Sequence, residues 1–255
     1  MARSGSTLIC KCLGCMKGVV LLSELHPLAW SLFNPIKQAS EWFGLLTPED
    51  LDWLKQQGSV SYAKVIGLIE QRCTERGSVL VLRDWAHLDF TGHPFVSTPS
   101  FRPLLHAELV GSFEIIRSST SRNPVSQWQS LTQLGVMQEP LRTGVFNLDI
   151  FLAGYRKYAD LCVETGFIRY EDLLMNPDVA MRQLCDSLDI EFDPSYADKW
   201  HAYERITGDV NNPRASNAIK MPPSRPVPPE LLNRFLANAD YRQACELLGY
   251  SPLQG

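Results

Sequence analysis

Apolar and polar positions divide the chain into helix-length and strand-length pieces. From Ser6 to about Leu22 the residues are small and apolar, which predicts a buried helix. Ser23-Glu24-Leu25-His26-Pro27 breaks it. Residues 28–46 are rich in Trp, Phe and Leu, with Pro35 inside, and predict irregular turns and a short helix. Thr47-Pro48-Glu49-Asp50 is a helix start, with a capping Thr, Pro at the first position and acids at the positive end of the helix dipole. That helix should run to about Gln57 and stop at Gly58. Another is predicted from Ser59 to Arg76, with Ala63, Val65, Ile66, Leu68 and Ile69 on its apolar face and Gly77 ending it.

Short β-branched runs mark strands. Ser78-Val79-Leu80-Val81-Leu82 predicts a buried strand that delivers Arg83-Asp84-Trp85-Ala86-His87 to a sheet edge. The carboxyl ends of strands are where open α/β sheets hold ligands. Phe113–Arg117 predicts a second strand and Gly166–Tyr170 a third. Helices are predicted near Pro124, carrying Trp128, Leu131 and Leu134, from about Asn147 to Thr165, and from Asn176-Pro177-Asp178 onward, with Met181, Leu184, Cys185 and Leu188 inward. Residues 206–229 are Pro-rich, polar and without period, hence a long loop. Pro228-Pro229-Glu230 opens the last helical region, which closes at Leu248-Gly249-Tyr250. There is no internal repeat. Strands alternating with helices predict one α/β domain over residues 1–255, with a central parallel sheet flanked by helices.

Composition narrows the function classes. A chain of 255 residues with 45% apolar and 20% charged content is that of a folded globular protein. A net charge of −4 argues against general nucleic-acid affinity while allowing a local basic pocket. The seven Cys are scattered, mostly in apolar helical contexts, as expected of reduced thiols in a cytoplasmic protein. Cys10-x-Cys12-x-x-Cys15 has no second ligand cluster and His26 stands apart, so no metal is expected. Lys11 and Lys17 interrupt the apolar stretch from Leu8 to Leu22, and no cleavage site or membrane-length segment follows.

The chemistry gathers at Arg3-Ser4-Gly5-Ser6-Thr7-Leu8. Gly5 allows a tight turn close to a ligand, and Ser4, Ser6 and Thr7 offer hydroxyls. A helix starting near Ser6 turns its unpaired N–H groups toward the loop, which suits an anion and most naturally a phosphate. Arg3 adds a permanent charge with a planar fork that matches phosphate oxygens.

Three stretches, in order and spacing, carry a resemblance: this loop, Arg122-x-Pro124 followed by Ser130, and Tyr170-Glu171-Asp172-Leu173 with Asn176-Pro177. Together they resemble the sulfotransferases that use 3′-phosphoadenosine 5′-phosphosulfate (PAPS), in particular the bacterial branch with an Arg-Ser-Gly-[Ser/Thr]-Thr loop. The resemblance covers nearly the whole chain. It implies a P-loop-like nucleotide-binding architecture and sulfuryl transfer from PAPS to a hydroxyl or amine, with adenosine 3′,5′-bisphosphate as product. Arg3 through Leu8 would grip the 5′-phosphosulfate, with Arg3 as a charge clamp. Arg122 and Ser130 would hold the 3′-phosphate. The family's late basic contact would fall on Arg214, with Lys220 as second choice, and the 206–229 loop would serve as a lid that excludes water.

The acceptor's base would be His87 or Asp84, just after the strand, with His87 placed ahead because of its ordinary pKa. Glu24 and His26 could also face the acceptor, and Tyr170–Leu173 reads as structural. The acceptor would be a small molecule or glycan, with no nucleic-acid or membrane partner. Trp30, Phe33, Trp42, Phe43, Trp85, Phe90 and Phe95 suggest an aromatic-lined acceptor site. Two rivals stand beside this reading. A P-loop kinase or NTPase would need a loop Lys and a second Gly that this loop lacks. A non-catalytic nucleotide-binding protein of the same fold would bind the bisphosphate and transfer nothing. Only Met1 and Ala2 precede Arg3, so either the true start lies upstream or the strand that should anchor the loop is missing or truncated, with poor stability or weak donor affinity expected of the chain as it stands.

Overall fold

A computed structural model describes residues 1–208, 218–221, 223 and 225–251 of the chain. The first helix, α1 (Ser6–Gly14), buries Leu8, Ile9, Cys12 and Leu13. It is shorter than the sequence pattern predicts. Gly18, at positive φ, turns the chain, and Val19–Leu25 continues as strand β1. The reason is two-sided burial. Val19 and Leu21 enter one hydrophobic cluster while Val20 and Leu22 enter another, the period-two alternation of a strand. A continuous apolar run does not by itself distinguish this from a buried helix.

Three helices follow β1 and contribute to one hydrophobic cluster with its Val20, Leu22 and Leu25. Helix α2 (Pro35–Phe43) begins at Pro35, with the Asn34 side chain accepting from the Ile36 and Lys37 amides. Helix α3 (Pro48–Gln56) opens on a reciprocal capping box between Thr47 and Asp50. Helix α4 (Tyr62–Glu75) starts after the Ser61 cap, three residues later than predicted from Ser59. Strand β2 (Val79–Asp84) then pairs with β1 in parallel, Val19 against Val79 through Leu25 against Asp84, with an irregularity between Leu22 and Leu25. Two short helices follow, α5 (His87–Phe90) and α6 (Leu104–Leu109).

The predicted strand at Phe113–Arg117 does not form. Phe113 continues from α6 through its amide to the Leu109 carbonyl, and residues 114–118 are irregular. The strand lies a step later, as β3 (Ser119–Ser121), polar in sequence yet buried. Its hydroxyls are satisfied laterally: Ser119 by Thr165, Thr120 by Ser4 and Ser121 by Tyr250. Helix α7 (Pro124–Leu131) begins at Pro124 behind an Asn123 cap and ends before Leu134. After α8 (Gln138–Arg142), the long α9 (Leu148–Thr165) leads to β4 (Phe167–Arg169), which pairs with β3 in parallel. Tyr170, predicted in the strand, opens helix α10 (Tyr170–Met175) instead. Helices α11 (Pro177–Ser187), α12 (Tyr196–Lys199), α13 (Pro229–Ala237) and α14 (Ala239–Leu248) complete the chain, with α14 packed along α9.

The molecule is thus mixed α/β, but its described strands form two separate parallel pairs where one central sheet is predicted. No strand precedes α1 among the described residues. A cavity of about 1110 Å³ lies between the pairs, lined by β2 on one side, residues 115–120 on the other and Met1–Arg3 at one end. This is why β2, predicted to be buried on both faces, leaves Val79 47% exposed.

All seven cysteines are thiols, and six are buried. The half-buried Cys15 directs its thiol to the Cys12 and Tyr196 carbonyls. Among the described residues no helix is long and apolar enough to cross a membrane.

Candidate anion and proton-transfer site

The loop before α1 brings its backbone close against the Tyr170 ring. Gly5 adopts φ +89, and a Cβ placed there would lie 2.1 Å from the Tyr170 ring. Only glycine fits, because both the left-handed backbone and the ring exclude a side chain. Gly5 starts α1 with no side-chain cap on the helix. The Leu8 amide turns back to the Gly5 carbonyl at 3.0 Å, which leaves the Ser6 and Thr7 amides and the positive end of the helix dipole available to an anion.

The predicted grip residues divide by role. Ser4 is fully buried, and its hydroxyl engages the Met1 carbonyl and the Thr120 hydroxyl, each at 2.9 Å. It ties the loop to β3 and does not face a ligand. Leu8 is core. Ser6 and Thr7 remain at the cavity, together with Arg3 and Gly5. The Arg3 Nε donates to Ser130 Oγ at 2.9 Å, and the Arg3 carbonyl accepts from Arg122 Nη1 at 3.2 Å. Two motifs more than a hundred residues apart in sequence are therefore joined directly.

Arg122 lies over the Tyr170 ring at 5.0 Å, and its carbonyl accepts from Tyr155 Oη at 2.6 Å. Glu171, from the stretch read as structural, accepts from the Asn123 amide and from the Tyr250 hydroxyl, each at 3.0 Å, and so braces the start of α7. Burial works against the Arg122 charge, Tyr170 and Glu171 support it, and Arg3 and Arg225 oppose it. Arg225 belongs to the long loop and was not singled out in the sequence. Arg214 lies outside the described residues, and Lys220 is exposed.

Arg83, which the sequence places at the sheet edge without a role, also belongs to the site. Its Nη2 donates to Ser6 Oγ at 3.2 Å, Thr7 Oγ1 at 3.1 Å and Glu24 Oε1 at 3.2 Å. Its Nη1 donates to Ser23 Oγ at 3.1 Å and the Thr207 carbonyl at 3.0 Å. The Arg83 and Glu24 side chains are 10% and 12% exposed. A nearly buried, charge-balanced fork thus lies directly against the hydroxyls of the anion loop and ties them to β1 and to the start of the long loop. Glu24 reaches it through positive φ at the irregularity in β1. A charged residue at the end of an apolar strand run was the available signal.

The two candidate bases differ sharply. His87 is buried, with Nε2 donating to the His93 carbonyl at 2.7 Å and Nδ1 paired with Thr91 Oγ1 at 2.5 Å. Both ring nitrogens are engaged within the protein, and burial drives its pKa down to about 4. Asp84, the last residue of β2, lines the cavity, and its Oδ1 is buried without a hydrogen-bond partner. Burial first, and then the charge of Asp89, push its pKa up to about 7. His26 is fully buried and pairs through Nε2 with Asp89 Oδ1 at 3.2 Å. Of the aromatic residues proposed for the acceptor site, Trp85 and Phe95 line the cavity, with Phe33 packed on Trp85 at 4.9 Å. Phe90 is core against Tyr158, and Trp30 packs on Tyr62.

No protein-family model and no curated protein matches the chain. Two solved structures do. The sulfotransferase domain from the curacin biosynthetic pathway superposes with a TM-score of 0.62 at 18% identity, covering 99% of this chain and 96% of that one. The sulfotransferase domain from the Synechococcus PCC 7002 olefin synthase gives a TM-score of 0.65 at 20% identity, covering 98% and 92%. The chain therefore shares the fold of sulfotransferase domains along nearly its whole length.

Proposed function

We propose that the chain is a sulfotransferase that moves a sulfuryl group from PAPS to a hydroxyl or amine of a small-molecule or glycan acceptor, acting as one domain over residues 1–255. The observation that carries this reading is the Arg3–Ser130 bond, with Arg122 on the Arg3 carbonyl. It sets an anion-binding helix start and a second cationic element side by side, as a nucleotide bearing two separated phosphates requires. The likeness of fold to sulfotransferase domains supports it. The uncapped first turn of α1 and the Gly5 cradle suit a phosphate group.

PAPS would supply the activated sulfuryl group. Negative charge grows on the departing 5′-phosphate, where the α1 amides and Arg3 lie, with the Arg83 fork holding the Ser6 and Thr7 hydroxyls in place. Asp84 takes the acceptor's proton in preference to His87, because Asp84 lines the cavity and has an oxygen with no protein partner, whereas both His87 nitrogens are engaged. Trp85 and Phe95 form an apolar flank beside it. Ser4 and Leu8 support the loop from behind.

Isothermal titration calorimetry with adenosine 3′,5′-bisphosphate, set against ATP with magnesium, tests this reading. Saturable binding of the bisphosphate with none of ATP is expected. The reverse preference would reject it in favour of a kinase or NTPase.

A further inference from the structure

Asp84 does not stand alone at the head of the cavity. Carboxylate oxygens of Asp84 and Asp89 and a ring nitrogen of His26 all lie within 4.8 Å of one another. The fold brings them together from three places: the end of β2, helix α5 and the turn after β1. Hydrogen bonding fixes the His26 tautomer. Its Nδ1 accepts the Leu28 amide at 3.1 Å, so the proton of the neutral ring resides on Nε2 and is donated to Asp89. Asp89 also receives the Ser100 hydroxyl at 3.2 Å and the Leu104 amide at 3.1 Å. Asp89 thus has three donors, and Asp84 Oδ1 has none. Two carboxylates this close in a buried setting lose their protons in two separated steps, and donors decide which one ionises first.

We propose that Asp84 and Asp89 form one carboxylate pair in which the donors of His26, Ser100 and Leu104 favour the negative charge on Asp89 and leave Asp84 as the member that exchanges its proton. As a catalytic device this rests on the reading of Asp84 as the base in sulfuryl transfer; as a titrating pair it stands on the geometry alone. Asp89 and His26 are positioning residues that act through Asp84. The other titratable groups facing Asp84 are the Met1 α-amino group and the Tyr62 hydroxyl. Burial pushes the α-amino pKa down to about 6, so it is mostly uncharged at neutral pH and does little to hold Asp84 ionised. Burial raises the Tyr62 pKa, keeping its hydroxyl protonated. The preceding residue, Arg83, turns its guanidinium to the anion loop and Glu24.

The transfer step balances on this pair. The reactive form is the one in which Asp84 has already released its proton to water; the acceptor O–H bond then breaks and its proton bonds to the Asp84 carboxylate. The acceptor oxygen bonds to sulfur as the bond from sulfur to the bridging phosphate oxygen breaks, its electron pair leaving with the bisphosphate. Asp84 then gives the proton to water, and Asp89 remains charged throughout.

Carbon-13 NMR of the whole chain, labelled at the aspartate side-chain carboxyl, tests the pair by titration from pH 4 to 9. One resonance should titrate near pH 7 and be missing in Asp84→Asn. A second should follow the same midpoint, because Asp89 senses its neighbour's charge. In Asp89→Asn the Asp84 midpoint should fall by at least about one pH unit, a tenfold loss of proton affinity, because the like charge is gone. An Asp84 that titrates in the ordinary carboxylate range, or without a second carbon following it, overturns the proposal. Both of those readouts come from wild type and Asp84→Asn, so they decide the matter even if Asp89→Asn does not fold. The titration needs neither donor nor acceptor. A chain that shows the pair but binds no bisphosphate would sink the functional reading and leave the pair standing.

Discussion

Replacing Arg83 by Met keeps the aliphatic stem and removes the guanidinium fork. Five hydrogen bonds go with it, to Ser6, Thr7, Glu24, Ser23 and Thr207. The larger loss is electrostatic, because Glu24 stays behind as a carboxylate with little access to water. Removing one partner of a buried ion pair costs about 3–5 kcal/mol. The two side chains are 10% and 12% exposed, so some solvent reaches them and the lower end, about 3 kcal/mol, is expected. For a chain of this size that corresponds to a fall in melting temperature of roughly 6–12 °C. Urea unfolding followed by far-ultraviolet circular dichroism measures it. Adding Glu24→Gln to Arg83→Met should recover about half of the loss, since the stranded charge is then gone. The fork also touches both hydroxyls of the anion loop, so Arg83→Met should weaken adenosine 3′,5′-bisphosphate binding by about 10- to 100-fold, the loss of a charge-assisted contact. A single variant within 1 kcal/mol of the parent, or a double variant no more stable than the single, would refute this account.

Two further substitutions separate the roles of the remaining residues. Gly5→Ala forces a side chain into a backbone at φ +89 and into the Tyr170 ring. It should cost about 2 kcal/mol or more of stability. It should also abolish bisphosphate binding by calorimetry, and Tyr170→Ala in the same chain should restore part of the stability. His87→Gln should change the pH dependence of stability. The folded pKa of about 4 lies below the ordinary value of 6.5, so the unfolded chain takes up the proton first as the pH falls. The contribution of the buried neutral ring is full above pH 6.5 and is lost between there and pH 4, by up to about 3 kcal/mol. Urea midpoints at pH 7.5 and pH 4.5 should therefore differ less in His87→Gln than in the parent, and an unchanged difference would reject the buried-neutral account.

Local signals in the sequence were enough for much of the frame. Thr47-Pro48-Glu49-Asp50, Asn123-Pro124 and Asn147 each mark a helix start through contacts within four residues, and each helix begins there. Gly5 was legible for the same reason, since a left-handed turn before a helix is a local demand on one residue. Arg3, Arg122 and Ser130 were singled out by resemblance to a family's motifs, and the fold brings the three into contact. Strand assignments fared worse. Val19–Leu25 and Ser119–Ser121 are strands because of what packs on both sides of them, and nothing within either segment encodes its neighbours.

What only the tertiary structure decided is which of these residues share one place and in what state. Arg83 is an ordinary basic residue in the sequence, yet it lies under the loop because β2 runs parallel to β1 and ends at the bulge that presents Glu24. His87 has the ordinary pKa of a base in the sequence, but burial and two hydrogen bonds remove both its nitrogens from use. Asp84 acquires an unusual proton affinity from burial and then from Asp89, effects of solvent exclusion and proximity that have no signature along the chain. Residue chemistry is a property of the sequence, whereas charge state and partnership depend on distances and dielectric, which exist only once the chain has folded.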